Sequence, residues 1–219
     1  MNSNSFFSME SPLMTLLNRI GDLIVLNLVF LICCIPIVTI GAAFTALHYV
    51  CLRMIRDEEG YVTKDFFRSF RVNFRQSTMM WLFMLIILLI VGTDIVMLPK
   101  TGAAYPAFIH YFLLADAVIV LAVGLYAFPL QARFENPLIR TIRNAVLLTI
   151  GAFPRTLAMV ALMIVPFIIL FGIPQLLPIV VIMGFSASAY ACAALYDPVF
   201  RRLEPAPADG EEEQPETEV

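Results

Sequence analysis

Three titratable side chains lie within long apolar stretches of this sequence: Asp116, His48 and His110. A carboxylate in hydrocarbon costs about 2.5–3.5 kcal/mol on insertion scales, so Asp116 is expected to face protein or water. One interpretation makes Asp116 part of an ion or substrate path with a histidine as its partner. The other makes it a hydrogen-bonding residue that packs two helices, or places it nearer the membrane surface. The histidines are more often packed or interfacial residues.

A second candidate site is a break in the apolar stretch of residues 23–52, which contains no charge. Pro36 and Gly41 interrupt it, and proline lacks the amide hydrogen that a straight helix would need. Discontinuous membrane helices build binding sites from freed backbone groups. The same residues also suit a simple turn between two helices, in which Thr39 would cap the helix that Gly41 begins.

A basic and aromatic helix is predicted before the next apolar stretch, with Thr63 as its cap. Its bases recur at spacings of four, three and four residues, and its aromatic side chains form a second stripe. The bases are Lys64, Arg68, Arg71 and Arg75, and the aromatic residues are Phe67, Phe70 and Phe74.

A second basic helix is predicted over residues 137–150 and carries Arg140 and Arg143. Asn136 suits its capping position, and Pro137 suits its first helical position. Each basic helix is interpreted either as an anchor on anionic lipid headgroups or as a surface that contacts a partner subunit.

The sequence contains none of the patterns GxxxxGK[ST], HExxH or GxSxG, so nucleotide hydrolysis and common hydrolase chemistry are not expected on this chain. The cysteines are Cys33, Cys34, Cys51 and Cys192, and their spacing is not that of a metal or redox site. We therefore predict a protein that is not an enzyme, with no cofactor and no metal. A nucleic-acid partner is not expected either, because no basic patch with exposed aromatics occurs in a polar context.

Composition shows which elements must hold these residues. The chain is 60% hydrophobic and 14% charged, with a mean hydropathy of +0.86, whereas soluble domains are about 45–50% apolar and about 25% charged. A spanning helix needs about 20 apolar residues. We predict an all-α polytopic transmembrane bundle of about six membrane helices, and the lipid bilayer as its surroundings. The predicted spans are 17–35, 41–56, 76–99, 104–131, 156–173 and 177–196.

The second span is short, so five spans plus a re-entrant hairpin remain an alternative for the first pair of helices. With the N-terminus inside, thirteen of the fourteen lysines and arginines fall on the inner side and Lys100 falls outside. Basic residues collect in cytoplasmic loops, which predicts a cell-membrane protein with both termini cytoplasmic. The helical membrane domain covers residues 1–203.

Residues 204–219 hold seven of the seventeen acids and no base. They contain almost nothing apolar, so a disordered acidic tail is predicted.

Two segments together resemble the YesL family of bacterial integral membrane proteins, a domain of unknown function. They are PIVTIGAA at residues 36–43 and VTKDFFRSFRVNF at residues 62–74, and the resemblance extends over nearly the whole chain up to Arg202. Genes of this family often lie beside those of ATP-driven sugar importers, so the resemblance implies permease subunits of a carbohydrate ABC importer as partners. It implies no catalytic residues.

The leading hypothesis is therefore an accessory or stabilising membrane subunit associated with oligosaccharide import. One alternative is a stand-alone small-solute transporter or channel that uses Asp116 and the break at residues 36–41. Another is a membrane scaffold with no transport role.

Overall fold

The computed structural model describes residues 12–58, 60–97, 107–134 and 136–204. The described residues form helices and short connections, and no strand occurs among them. The predicted all-α fold is confirmed. The helices are α1 (Pro12–Cys34), α2 (Ile40–Ile55), α3 (Val62–Met97), α4 (Ala107–Arg133), α5 (Leu138–Gly151), α6 (Phe153–Gly172) and α7 (Leu177–Leu203).

Six of these helices are long and apolar enough to cross a membrane: α1, α2 with the 3₁₀ turn that precedes it (Ile37–Thr39), α3, α4, α6 and α7. The protein is a multi-pass helical membrane protein. α5 is the remaining helix of the described residues, and it connects α4 to α6.

Ion pairs place several helix ends at the same end of the bundle. Arg19 of α1 contacts Asp57, which follows α2. Glu204, which follows α7, pairs both with Arg56 after α2 and with Arg133 at the end of α4. We call this the basic end and the opposite end the far end. Consecutive spans therefore alternate in direction, as the sequence predicted.

The first basic helix is not a separate element. α3 is a single helix of 36 residues that contains both the basic segment and the following apolar span. The reason is that residues 62–97 contain no proline and, before Gly92, no glycine, so nothing stops the helix. Thr63 is accordingly its second residue and not its cap.

Two further boundaries differ from those predicted. α5 begins at Leu138, and Pro137 is its N-cap with extended backbone angles (φ −62°, ψ 149°); the prediction with Asn136 as cap was one residue early. α7 continues to Leu203 although Pro198 lies inside it.

Aromatic side chains at the centre of the bundle show which residues lie at the same level. The ring of Phe44 on α2 lies 5.1 Å from that of Phe30 on α1 and 5.9 Å from that of Phe128 on α4. Phe30 also meets Phe185 of α7 at 5.7 Å. Four helices thus meet in one aromatic layer, which is the reference level for the sites below.

Candidate functional site

The break between α1 and α2 is a turn whose backbone is satisfied by protein. The hydroxyl of Thr39 donates to the carbonyls of Cys33 at 2.6 Å and Pro36 at 2.7 Å. The indole Nε1 of Trp81 on α3 donates to the carbonyl of Ile37 at 2.8 Å. The backbone amides of Thr39 and Ile40 also donate to the carbonyls of Pro36 and Ile37 in the 3₁₀ turn, so these carbonyls are already occupied.

Thr39 does not cap α2 in the way the sequence predicted. It occupies the N-cap position, but its side chain makes no capping hydrogen bond, because the hydroxyl is turned back towards the end of α1. Gly41 has a different role. A Cβ at this position would lie 2.4 Å from the Cβ of Trp81 and 2.5 Å from the carbonyl oxygen of Ser77, so only glycine lets α2 approach α3 this closely.

The structure does not gather the predicted intramembrane polar residues. His48 is 1% exposed and packs between Phe44 and Tyr196. On α4, Asp116 lies twelve residues before Phe128, whose ring contacts that of Phe44. Twelve helical residues span about 18 Å, so Asp116 is about 18 Å from the level of Phe44. His110 is exposed, six residues from Asp116 on the same helix.

Asp116 is half-buried on α4, and no hydrogen bond or ion pair joins it to another described residue. Gly124 of α4 lies beside Met84 of α3, since a Cβ on it would be 2.6 Å from the Met84 methyl group. Counting along the antiparallel helices from this contact places Asp116 opposite Gly92 of α3. The α1–α2 turn lies at the level of Trp81, which donates a hydrogen bond to it. Trp81 is eleven residues from Gly92, so the turn and Asp116 are about 16 Å apart along α3.

The predicted basic residues are all exposed at the basic end. On α3 the buried side is formed by Phe66 and Ser69, while Phe67 and Phe74 are partly exposed and Phe70 packs between Phe66 and Phe74. No ion pair joins the predicted bases to other described residues. These bases are Lys64, Arg68, Arg71, Arg75, Arg140 and Arg143.

The most fully bonded polar side chain of the core is Asn27 of α1, which the sequence analysis missed. Its amide nitrogen donates to the carbonyls of Val180 at 3.0 Å and Val181 at 2.7 Å. Its oxygen accepts from the backbone amides of Phe185 at 3.0 Å and Ser186 at 2.9 Å. Asn27 is 0% exposed, and all four bonds reach one segment of α7.

That segment, Val180–Gly184, is a π-helix. In π-helical geometry the carbonyl of residue i pairs with the amide of residue i+5, so Val180 and Val181 would pair with Phe185 and Ser186. The Asn27 side chain bridges these same groups. We call Asn27 and residues 180–186 the asparagine clamp. A lone asparagine in an apolar span was the signal in the sequence that could have indicated it.

A second polar cluster lies at the basic end around Arg56. Its Nε lies 2.7 Å from Oδ1 of Asp197, and its Nη1 lies 2.9 Å from Oε1 of Glu204. Arg133 and Arg201 complete the cluster, pairing with Glu204 at 2.8 Å and with Asp197 at 2.7 Å. The Arg56 and Asp197 side chains are only 9% and 8% exposed. We call these five residues the Arg56 network.

The network shifts the pKa values of its members that lie outside the spans. Burial alone would lower the pKa of Arg56, but its hydrogen bonds to Asp197 and Glu204 raise that pKa above its usual value. Burial alone would raise the pKa of Glu204, but hydrogen bonds from Arg133 and Arg56 hold it below its usual value. Glu204 was predicted as the first residue of a disordered tail; residues 205–219 lie outside the described residues.

Fold and sites together define a multi-pass helical membrane protein with a polar clamp in its core and an ion-pair network at its basic end. Residues 23–95 match the model of a family described as "Protein of unknown function, DUF624". The match covers 73 of the 219 residues, from α1 to the end of α3, and includes both predicted motif segments. It is consistent with the YesL resemblance, which it does not itself name, and it stops well short of Arg202. No curated protein and no solved structure matches the chain.

Proposed function

We propose that this protein is a non-enzymatic accessory subunit of a carbohydrate ABC importer that stabilises the permease subunits by helix packing in the membrane. The feature that supports this most is the part of α3 and α4 nearest the far end, residues 82–97 and 107–123, which we call the half-hairpin. The α1–α2 turn ends level with Trp81, so α3 continues sixteen residues, or about 24 Å, beyond it.

This half-hairpin exposes large apolar side chains on both helices. Ile86 and Leu89 of α3 are 57% and 58% exposed, and Phe112 of α4 is 71% exposed. Lipid alone could cover these groups, but lipid offers no partner to the half-buried carboxylate of Asp116. A neighbouring membrane helix with a hydrogen-bond donor at this level would supply both the apolar contact and the polar partner.

The link to carbohydrate import rests on the YesL resemblance, with which the family match over residues 23–95 is consistent. The proposed packing role rests on the exposed apolar side chains of the half-hairpin and on the carboxylate of Asp116. The match to a family of unknown function names neither a substrate nor a partner, so the experiment must identify the partner directly.

The chain should be purified through an affinity tag in mild detergent at native expression, and the co-purifying proteins identified. Sugar-permease subunits are expected in the wild-type sample. Asp116→Leu should reduce their recovery several-fold, because the carboxylate is the polar contact. Leu157→Ala, an exposed apolar change on α6 and outside the half-hairpin, is the control and should leave recovery unchanged. Recovery of this protein alone would contradict the proposal.

We further propose that the basic end faces the cytoplasm, so that both termini are cytoplasmic. The support is the concentration of arginines at that end together with the preference of basic residues for cytoplasmic loops. Green fluorescent protein fused after Val219 is expected to fluoresce, since it folds in the cytoplasm. Alkaline phosphatase fused at the same point should be inactive, and an active phosphatase would reverse the orientation.

A further inference from the structure

The helix α5 is too short to span a membrane, yet it exposes large apolar side chains. Thr141 and Ala145 are buried against the bundle, at 1% and 0% exposed. On the other side of the helix, Leu147 and Ile150 are 58% and 71% exposed. The helix has 14 residues, so it is about 21 Å long, whereas the hydrocarbon of a bilayer is about 30 Å thick. The outer face of α5 therefore needs a covering that a membrane crossing does not explain.

Contacts with α4 show the direction in which α5 runs. The hydroxyl of Thr141, near the start of α5, lies 3.4 Å from the side-chain oxygen of Gln131 on α4. Near the end of α5, the carbonyl of Thr149 accepts a hydrogen bond from Thr156, whose hydroxyl lies 3.4 Å from that of Tyr126 on α4. Gln131 is close to the end of α4, and Tyr126 is five residues earlier. α5 therefore runs back along α4, from its basic end towards the interior of the membrane.

The exposed face of α5 changes from basic to apolar in the same direction. Arg140 and Arg143 come first, and Leu147 and Ile150 follow; all four are exposed. Their spacings are three, four and three residues, so the four side chains lie on one face of the helix. Arg140 and Ile150 are ten residues apart. This is about 15 Å along the helix, which equals the hydrocarbon thickness of one leaflet.

The apolar part of this face continues onto a helix that contacts lipid. α6 begins at Phe153, three residues after Ile150, and is long and apolar enough to cross the membrane. Its first two turns expose Phe153 and Leu157, at 65% and 61%. Apolar side chains that protein leaves uncovered on a spanning helix are in contact with lipid. Lipid therefore also adjoins the end of α5, which favours lipid over a soluble protein as the covering.

Nothing within α5 neutralises the two arginines. Residues 138–151 contain no acid, and no ion pair joins Arg140 or Arg143 to another described residue. Asn144 and Leu147 also line a cavity of about 370 Å³ between α5 and the end of α4, so a polar and an apolar group adjoin the arginines. Arginine binds phosphate through pairs of charge-assisted hydrogen bonds. The chemistry that fits this face is a phosphate at the membrane surface with an apolar chain attached.

We propose that the outer face of α5 is a binding site for an anionic phospholipid. Arg140 and Arg143 hold the phosphate, and an acyl chain packs along Leu147 and Ile150. Basic residues beside a membrane attract anionic headgroups, and the adjoining apolar residues add contact with the acyl chain. The site does not depend on the proposed permease partner, because that partner would contact the half-hairpin of α3 and α4.

Native mass spectrometry of the full chain in a neutral detergent tests the proposal. The probes are phosphatidylglycerol, which is anionic, and phosphatidylcholine with the same acyl chains, which has no net charge. A basic residue beside an anionic headgroup contributes about fivefold to binding, so two arginines contribute about 25-fold. We expect phosphatidylglycerol to bind the wild type more tightly than phosphatidylcholine by about this factor. Arg140→Gln/Arg143→Gln should remove the difference and leave the binding of phosphatidylcholine unchanged.

Two further variants separate the parts of the site. Arg68→Gln/Arg71→Gln removes the same charge from α3 and should leave the preference for phosphatidylglycerol intact. Leu147→Ser/Ile150→Ser keeps both arginines and should weaken the binding of both lipids several-fold.

Equal binding of the two lipids to the wild type would overturn the proposal, as would an equal loss in the α3 and α5 arginine variants. Unchanged lipid binding in the α5 arginine variant would assign its arginines to a protein partner and also overturn it. Glycerol 1-phosphate, which has no acyl chain, should bind far more weakly than the lipid. Equal binding of this compound would mean that the ligand is a soluble phosphate and not a lipid.

Discussion

Replacement of Asn27 with leucine is expected to lower the free energy of unfolding by about 3 kcal/mol. Asn27 makes four hydrogen bonds to the backbone of α7. Side-chain hydrogen bonds in membrane proteins average about 0.6 kcal/mol each, which gives about 2.4 kcal/mol for four. Leucine also leaves buried carbonyls and amides of the π-helix without this partner, and unsatisfied buried groups add to the cost.

Unfolding in mixed micelles, titrated with a denaturing detergent, measures this loss. Asn18→Leu is the matched control, because Asn18 is on the same helix but exposed, and its replacement should change stability by less than about 0.5 kcal/mol. If the two variants were equally stable, the asparagine clamp would not hold α1 to α7.

The second large effect is expected at the basic end. Arg56→Met should lower the free energy of unfolding by about 3 kcal/mol, because it leaves Asp197, 8% exposed, without its buried partner. Removing one member of a buried ion pair costs roughly 3–5 kcal/mol when the remaining charge is uncompensated. Here Arg201 still pairs with Asp197, which sets the expected loss at the lower end.

The control for Arg56 is Arg201→Met in the same detergent titration. Arg201 binds the same carboxylate, but its side chain is 60% exposed, and exposed ion pairs contribute about 0–1 kcal/mol. The double variant Arg56→Met/Asp197→Leu should recover part of the lost stability, since no unpaired carboxylate remains. An Arg201→Met loss as large as that of Arg56→Met would show that burial does not distinguish the two pairs.

Much of the fold could be predicted because it depends on local sequence. Helix length is set by the thickness of the hydrocarbon, and prolines and glycines mark where an apolar stretch must break. The break at Pro36 was located this way, and α2 begins one residue before the predicted position. The basic segment before α3 was placed correctly as helix but wrongly as a separate one, since no local residue separates it from the span.

The sites were harder to predict because their partners are far apart in the sequence. The sequence placed His110 and Asp116 on one helix, but it could not show that His48 packs in the aromatic core while His110 is exposed. Thr39 was chosen as a cap from its residue type, yet its hydroxyl bonds the end of α1. A residue type limits what hydrogen bonds are possible, but the neighbouring helix decides which are made.

By itself, the sequence determined that this is an all-helical protein of the membrane, where its helices lie and which end collects the positive charge. Those properties depend on the composition of each segment taken separately. A spanning segment must be apolar enough for the bilayer and must satisfy its own backbone hydrogen bonds. Only the tertiary structure decided that Asn27 bridges the π-helix 153 residues away and that Arg56 pairs with Asp197 across 141 residues. Such pairings depend on which helix faces meet, and no single segment contains that information.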